Sequence, residues 1–182
     1  MIAENAAPRH IASMAPRTAL DRDRTLAALG TLAAGAALGA ALLSERVLGL
    51  VPCLLCLWER WPYRVAVAVG LLALIAPRAW VRPLLLLLGA ALLAGAGLAA
   101  LHVGVEQGWW PSPLPGCNAA PLGEGSIAER LARMPARPAK PCDEPAYLVP
   151  GLPVSMAAMN LLYALALAAG LAISGTRRRG AP

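Results

Sequence analysis

Charge is scarce in this chain. Asp, Glu, Lys and Arg make up 14% of its 182 residues against 58% hydrophobic ones, and the mean hydropathy is +0.60. So little charge excludes an ordinary soluble domain. Phenylalanine is absent, and Leu and Ala supply the apolar mass. Cysteine is limited to Cys53, Cys56, Cys117 and Cys142. The Cys53-x-x-Cys56 pair has no second C-x-x-C and no His pair to complete a zinc site, and Leu57 follows it where haem attachment needs His. The net charge of +6 invites a nucleic-acid partner. The basic residues instead cluster beside hydrophobic spans, where topology signals sit, and this argues for no nucleic acid.

What the chain does have is long apolar runs. Thr25–Leu43 has 19 residues without a charge, Leu84–Leu101 has 18, and Val154–Ile173 has 20 with Asn160 as its main polar interruption. Val65–Ala76 is short, but reaches membrane length if its helix begins near Leu54. A span needs about 20 apolar residues at about 1.5 Å rise each. The expected fold is therefore all-α, a bundle of four transmembrane helices, with the second the weakest. Seventeen Gly and 17 Pro suit membrane helices alternating with stiff loops. The first run is longer than the h-region of a cleaved signal peptide and reads as an uncleaved span. Met14 is an alternative start.

Orientation follows from arginine. Arg9, Arg17, Arg22 and Arg24 precede the first span, Arg78 and Arg82 fill the link between the second and third, and Arg177, Arg178 and Arg179 follow the fourth. The positive-inside rule makes that side cytoplasmic. This divides the chain into a cytoplasmic segment 1–24, a membrane domain 25–176 and a basic tail 177–182. A short loop 44–53 and a long one 103–153 lie outside, in a bacterium the periplasm, where disulfides persist. Trp58, Trp61, Trp109 and Trp110 flank span ends, where an apolar ring with a polar N–H is favoured.

Both cysteine pairs fall on that outer side. Pro52 suits the first position of a helix, so Cys53 to Cys56 should form its opening turn, where the partial positive charge stabilises a thiolate. Cys56, Arg60 and Arg64 recur at spacing four and should share a face, placing two guanidinium groups below Cys56. Arg60 can donate to a carbonyl oxygen of an electron acceptor. The plainer reading has both arginines snorkelling to headgroups, with Glu59 as a partner. Pro62 removes a backbone hydrogen bond and should bend the helix. A redox pair is the reading left for Cys53 and Cys56.

Cys117 and Cys142 sit in Pro-rich, extended flanks. Between them, Ser126-Ile-Ala-Glu129 fits a capping box opening a short helix to Met134, with Ile127, Leu131 and Met134 along one side. A structural disulfide closing this loop is one reading. Exposed cysteines in a stiff loop favour the other, an exchangeable bond.

Taken together, Pro52-Cys-x-x-Cys-x-x-Glu-Arg60 before the second span, Pro111-Ser-Pro leading to Cys117, and the lone later Cys142 resemble the DsbB family of disulfide-bond formation proteins, over roughly Thr25 to Ile173. In the related vitamin K epoxide reductase group the membrane-edge C-x-x-C follows the loop cysteines, the reverse of the order here. The resemblance implies a multi-pass protein of the bacterial inner membrane that reoxidises a periplasmic DsbA-like, thioredoxin-fold partner and passes the electrons to a membrane quinone, ubiquinone or menaquinone. It implies redox disulfides Cys53–Cys56 and Cys117–Cys142, attack by the partner at Cys117, and Arg60 as quinone support. Arg64 and Pro62 depart from the family pattern. His102, Glu106 and Gln107 are left outside the site. Two other functions stand beside this one: the same relay run in the reductive direction, and a non-catalytic membrane scaffold with two structural disulfides.

Overall fold

The computed structural model describes residues 11–117, 126–133, 140–149 and 151–176, without the side chains of 11–18, 130, 131, 133, 175 and 176. The described residues are helical, with no strand. Five α-helices follow one another: α1 (Ile11–Arg46), α2 (Leu54–Ile75), α3 (Arg78–Glu106), α4 (Ile127–Arg133) and α5 (Met156–Thr176). A 3-10 turn, Pro115–Cys117, lies between α3 and α4.

Three stretches are long and apolar enough to cross a membrane: Ala19–Arg46, Arg78–Glu106 and Met156–Ser174. Helix α2 begins at Leu54 and has the length, at 22 residues. Glu59, Arg60 and Arg64 in its first half set it apart from the other three. Helix α1 runs unbroken across residue 24, and α3 continues to Glu106, past the sequence-based start of the long loop. Arg9, Met134 and the tail 177–182 lie outside the described residues.

Helix α3 packs against both α2 and α5, and α1 lies along α2. With little to gain from the hydrophobic effect inside lipid, close backbone approach has to hold such helices together, and small residues permit it. Ala34, Ala66, Ala91, Ala96, Ala164 and Ala168 form the core with Tyr63, Leu88 and Leu92. At Gly70 a side chain would overlap the Thr31 hydroxyl of α1. That hydroxyl is itself satisfied within its helix, donating to the Ala27 carbonyl at 2.7 Å. Pro62 lies inside α2, which continues through it, and its ring packs beside Gly95 of α3. The Ala76 N–H closes α2 on the Leu72 carbonyl, and Pro77 stops the helix there.

At the far end Trp110 folds back onto α3. Its indole N–H donates to the Leu101 carbonyl at 3.0 Å, and its ring occupies the space that a side chain at Gly104 would need. The turn reaching it passes through Gly108, at φ 70°, a conformation that glycine adopts without a Cβ clash. The chain is thereby turned back over the bundle toward Cys117. Helix α4 opens on the expected capping box: the Ser126 N–H donates to Glu129 Oε2 at 2.9 Å and the Glu129 N–H to Ser126 Oγ at 3.3 Å. Ile127 is exposed, while the Leu131 side chain and Met134 lie outside the described residues.

Candidate functional site: two cysteine pairs over a buried polar chain

Cys53 is the N-cap of α2, one residue before the helix proper, so Pro52 lies outside the helix rather than at its first position. In this place the Cys53 sulfur takes the role usually given to a Ser or Asp oxygen, accepting the Cys56 N–H at 3.2 Å. The helix N-terminus is thus aimed at Cys53. The two sulfurs stand 2.8 Å apart as free thiols. That is about 0.8 Å longer than a disulfide bond, so a small rotation closes it.

Cys117 and Cys142 are joined, 25 residues apart in sequence, and the Cys142 N–H donates to the Cys117 carbonyl at 3.3 Å. The sequence suggested exposed cysteines, but both are buried, at 3% and 0% exposure. The reason is packing. The Trp110 turn lays the Pro-rich segment across the ends of α2 and α3, and Cys53, Leu55, Val105, Cys117 and Cys142 form one buried cluster, with Cys56, Leu101 and Leu114 at its margin. All four cysteines therefore share a single packed region.

Beneath Cys53 runs a chain of buried polar groups from three helices. His102 of α3 places Nε2 3.5 Å from Cys53 Sγ and Nδ1 2.6 Å from Glu59 Oε1. Asn160 of α5 donates to Glu59 Oε2 at 2.6 Å and accepts from the Tyr63 hydroxyl at 2.6 Å. Glu59 is thus the hub, with both oxygens occupied, as a carboxylate at 7% exposure requires. Because Glu59 accepts at Nδ1–H, neutral His102 presents a bare Nε2 to Cys53 and can take its proton. Glu106 Oε1 lies 4.0 Å from the same nitrogen, and Glu106 also accepts from Ser155, which precedes α5.

Three residues of this chain, His102, Glu106 and Asn160, were not read as site residues from sequence. The signal available was the 102/106 spacing of four, which puts both side chains on one face of α3. Nothing in the sequence announces that this face meets Glu59. Arg60 departs from the plainer reading. Its partner is Glu45 at the end of α1, at 2.7 Å, and not Glu59. Arg64 leaves the site. Each step of four residues turns about 40° past a full turn, so Arg64 points about 80° away from Cys56. It is exposed, 5.0 Å over the Trp61 ring.

Between α1, α2 and α5 lies a cavity of about 430 Å³. Cys56, Glu59, Arg60, Tyr63 and Asn160 line one side, and Ala37, Ala40, Ala41 and Leu50 are among the apolar residues opposite. This volume is within the range of small-molecule sites, about 300–1,000 Å³. Arg60 is among the lining residues, and its Nε is buried without a hydrogen-bond partner. A mostly apolar cleft with one arginine and a few polar side chains on its wall suits an apolar molecule bearing carbonyl oxygens.

The disulfide bond formation protein DsbB family model matches residues 23–174. Two curated relatives, both named disulfide bond formation protein B, come from Aeromonas salmonicida (38% identical over 80 residues) and Aeromonas hydrophila (40% identical over 80 residues). Each alignment covers 43% of this chain and 45% of the relative, so the chain spans under half the length of the curated relatives it matches. No solved structure matches. The family match takes in α2, α3, most of α5 and all four cysteines, and on that basis the chain belongs to the DsbB family.

Proposed function

We propose that the protein is a quinone-dependent thiol oxidase of the bacterial inner membrane, spanning it four times with both termini cytoplasmic. It reoxidises a periplasmic DsbA-like dithiol protein and passes the electrons to ubiquinone or menaquinone. The division into 1–24, 25–176 and 177–182, with loops 44–53 and 103–153 facing the periplasm, belongs to this reading. The observation that carries it is the packing of all four cysteines in one cluster, with Cys56 opening onto the cavity that holds the Arg60 guanidinium.

The electrons balance in three steps. A thiolate of the partner attacks Cys117, the Cys117–Cys142 bond breaks, and a mixed disulfide forms. The partner's second thiol resolves it, leaving the partner oxidised and Cys117 and Cys142 as thiols. These two then reduce a Cys53–Cys56 disulfide by the same exchange. Reoxidation of Cys53 and Cys56 releases two electrons and two protons, and a bound quinone supplies the two-electron acceptor. Cys56 is the sulfur that faces the cavity. Cys53 faces His102, which takes its proton so that Cys53 can close on Cys56. Arg60, anchored by Glu45, offers its guanidinium to a carbonyl oxygen. Alanines of α1 keep that end dry.

Purified protein supplied with a reduced DsbA-like partner should bleach the quinone ultraviolet band. Loss of that turnover in both Cys56→Ser and Cys117→Ser is the expected result. Turnover that survives either change would overturn the relay. An inert protein whose two disulfides resist the partner would return the structural scaffold.

A further inference from the structure

The C-x-x-C pair has no second pair of ligands nearby in sequence, and spacing alone offers no metal site. The fold supplies the missing ligand from a distance. His102, 49 residues beyond Cys53, brings Nε2 to 3.5 Å from Cys53 Sγ. The sulfurs of Cys53 and Cys56 and this nitrogen all lie within 4.8 Å of one another. Tetrahedral zinc, with bonds of about 2.3 Å to sulfur and 2.0–2.1 Å to nitrogen, sets a sulfur–nitrogen separation of about 3.5 Å and a sulfur–sulfur separation of about 3.7 Å. The first is met between Cys53 and His102, and Cys56 Sγ stands within 4.8 Å of the same nitrogen. The second asks the sulfurs to open by about 1 Å from 2.8 Å. The shell behind the ligands is also built. Glu59 Oε1 holds His102 Nδ1 at 2.6 Å, the carboxylate–histidine arrangement that turns the other ring nitrogen toward a metal. Asn160 fixes Glu59 in turn, at 2.6 Å.

We propose that the reduced protein binds one zinc ion through Cys53, Cys56 and His102, with the fourth position open toward the cavity that Cys56 lines. Binding replaces the two thiol protons with the ion and releases both; no electron is transferred. Oxidation to the Cys53–Cys56 disulfide removes two of the three ligands, so the site exists only in the dithiol state. The cavity between α1, α2 and α5 is the route of entry. The site stands on the geometry of the thiols and the imidazole, and is independent of whether the cysteines act as a relay.

The test needs neither quinone nor partner. Full-length protein in detergent, with Cys117→Ser and Cys142→Ser so that the inner pair alone can bind, is reduced, freed of reductant and titrated anaerobically. Zn2+ is followed against a chromophoric chelator and Co2+ by its thiolate charge-transfer band. One ion per chain, two protons released per ion, and no binding after oxidation are expected. His102→Ala should weaken binding at least tenfold, and Glu59→Gln, which keeps all three ligands, by about 10–100-fold. Absence of binding by the reduced protein, or equal affinity with His102→Ala, would overturn the site. Should the double serine variant not fold, the difference between the fully reduced natural chain and its Cys53→Ser variant reads the same site: one ion fewer supports it, and an unchanged count refutes it.

Discussion

The two cysteine pairs solve the same geometric problem by opposite means. Cys53 and Cys56 are brought together by one helical turn, and nothing beyond α2 is needed to place them. Cys117 and Cys142 lie 25 positions apart in sequence and meet only through tertiary packing, and their bond closes the segment between them. Their surroundings differ as well. The inner pair has a histidine beside one sulfur and a cavity beside the other. The outer pair is packed among apolar side chains. An intrahelical pair can alternate between thiol and disulfide with little backbone change. A loop pair has to give up closure entropy when it forms, and recovers it when reduced. The outer pair is therefore the one whose redox state moves structure.

The sharpest way to break this comparison is to remove one outer sulfur. Cys142→Ser frees the loop but leaves α2 untouched. Partner-driven quinone reduction should fall to background, while a small dithiol that can reach the inner pair directly should still drive it. The ratio of the two rates, measured on one preparation, checks the separation. Equal loss of both rates would mean that the inner pair depends on loop closure after all.

The next largest effect belongs to the polar chain beneath Cys53. Glu59→Leu leaves His102 Nδ1 and Asn160 Nδ2 without their acceptor in a buried site, at about 1–3 kcal/mol for each group. Thermal unfolding in detergent should register this cost. Glu59→Gln fits the same space but can no longer accept from both neighbours in the same way. It should slow reoxidation of the inner pair and leave partner attack at Cys117 unchanged, as read by trapping the mixed disulfide.

Packing over the outer pair gives a smaller effect of opposite sign. At 3% exposure Cys117 cannot be attacked without some lifting of the loop. Leu114 lies at the margin of the cysteine cluster. Truncating it in Leu114→Ala removes up to about 2 kcal/mol of apolar contact. Stopped-flow mixing with the reduced partner should show faster formation of the mixed disulfide, by up to about thirtyfold. Unchanged kinetics would mean that Cys117 is reached without the loop lifting.

Much of this arrangement was legible in the sequence, and what was not has a common physical cause. Periodicity and length give the helices, because a lipid environment demands long uncharged runs and leaves few alternatives. The capping box at Ser126 was legible because it is a contact over three residues. The burial of Cys117 and Cys142 was not, since it depends on Trp110 seating against Gly104 and turning the chain inward. Likewise the sequence left His102 outside the site, and only the packing of α3 against α2 brings its nitrogen beside Cys53. Local chemistry was readable; the registry between helices that carries Glu59 to His102 and Asn160 was not.

Arg60 and Arg64 provide the finest test, because sequence spacing alone treats them alike. The four-residue step turns them about 40° apart, and their neighbours part them further. Arg60 is buried, tied to Glu45 at 2.7 Å, and lines the cavity. Arg64 is exposed, and its contact is the Trp61 face. Exposed cation–π contacts contribute about 0.5–1 kcal/mol, so Arg64→Ala should lower stability by that much and leave the quinone KM as it was. Arg60→Gln keeps most of the bulk but loses the charge that Glu45 requires and that Arg60 contributes to the cavity lining. It should raise the quinone KM while the rate of partner attack at Cys117 stays constant. Equal KM shifts in the two variants would mean that both arginines act through general positive charge at the membrane edge, and the cavity would lose its claim to the acceptor.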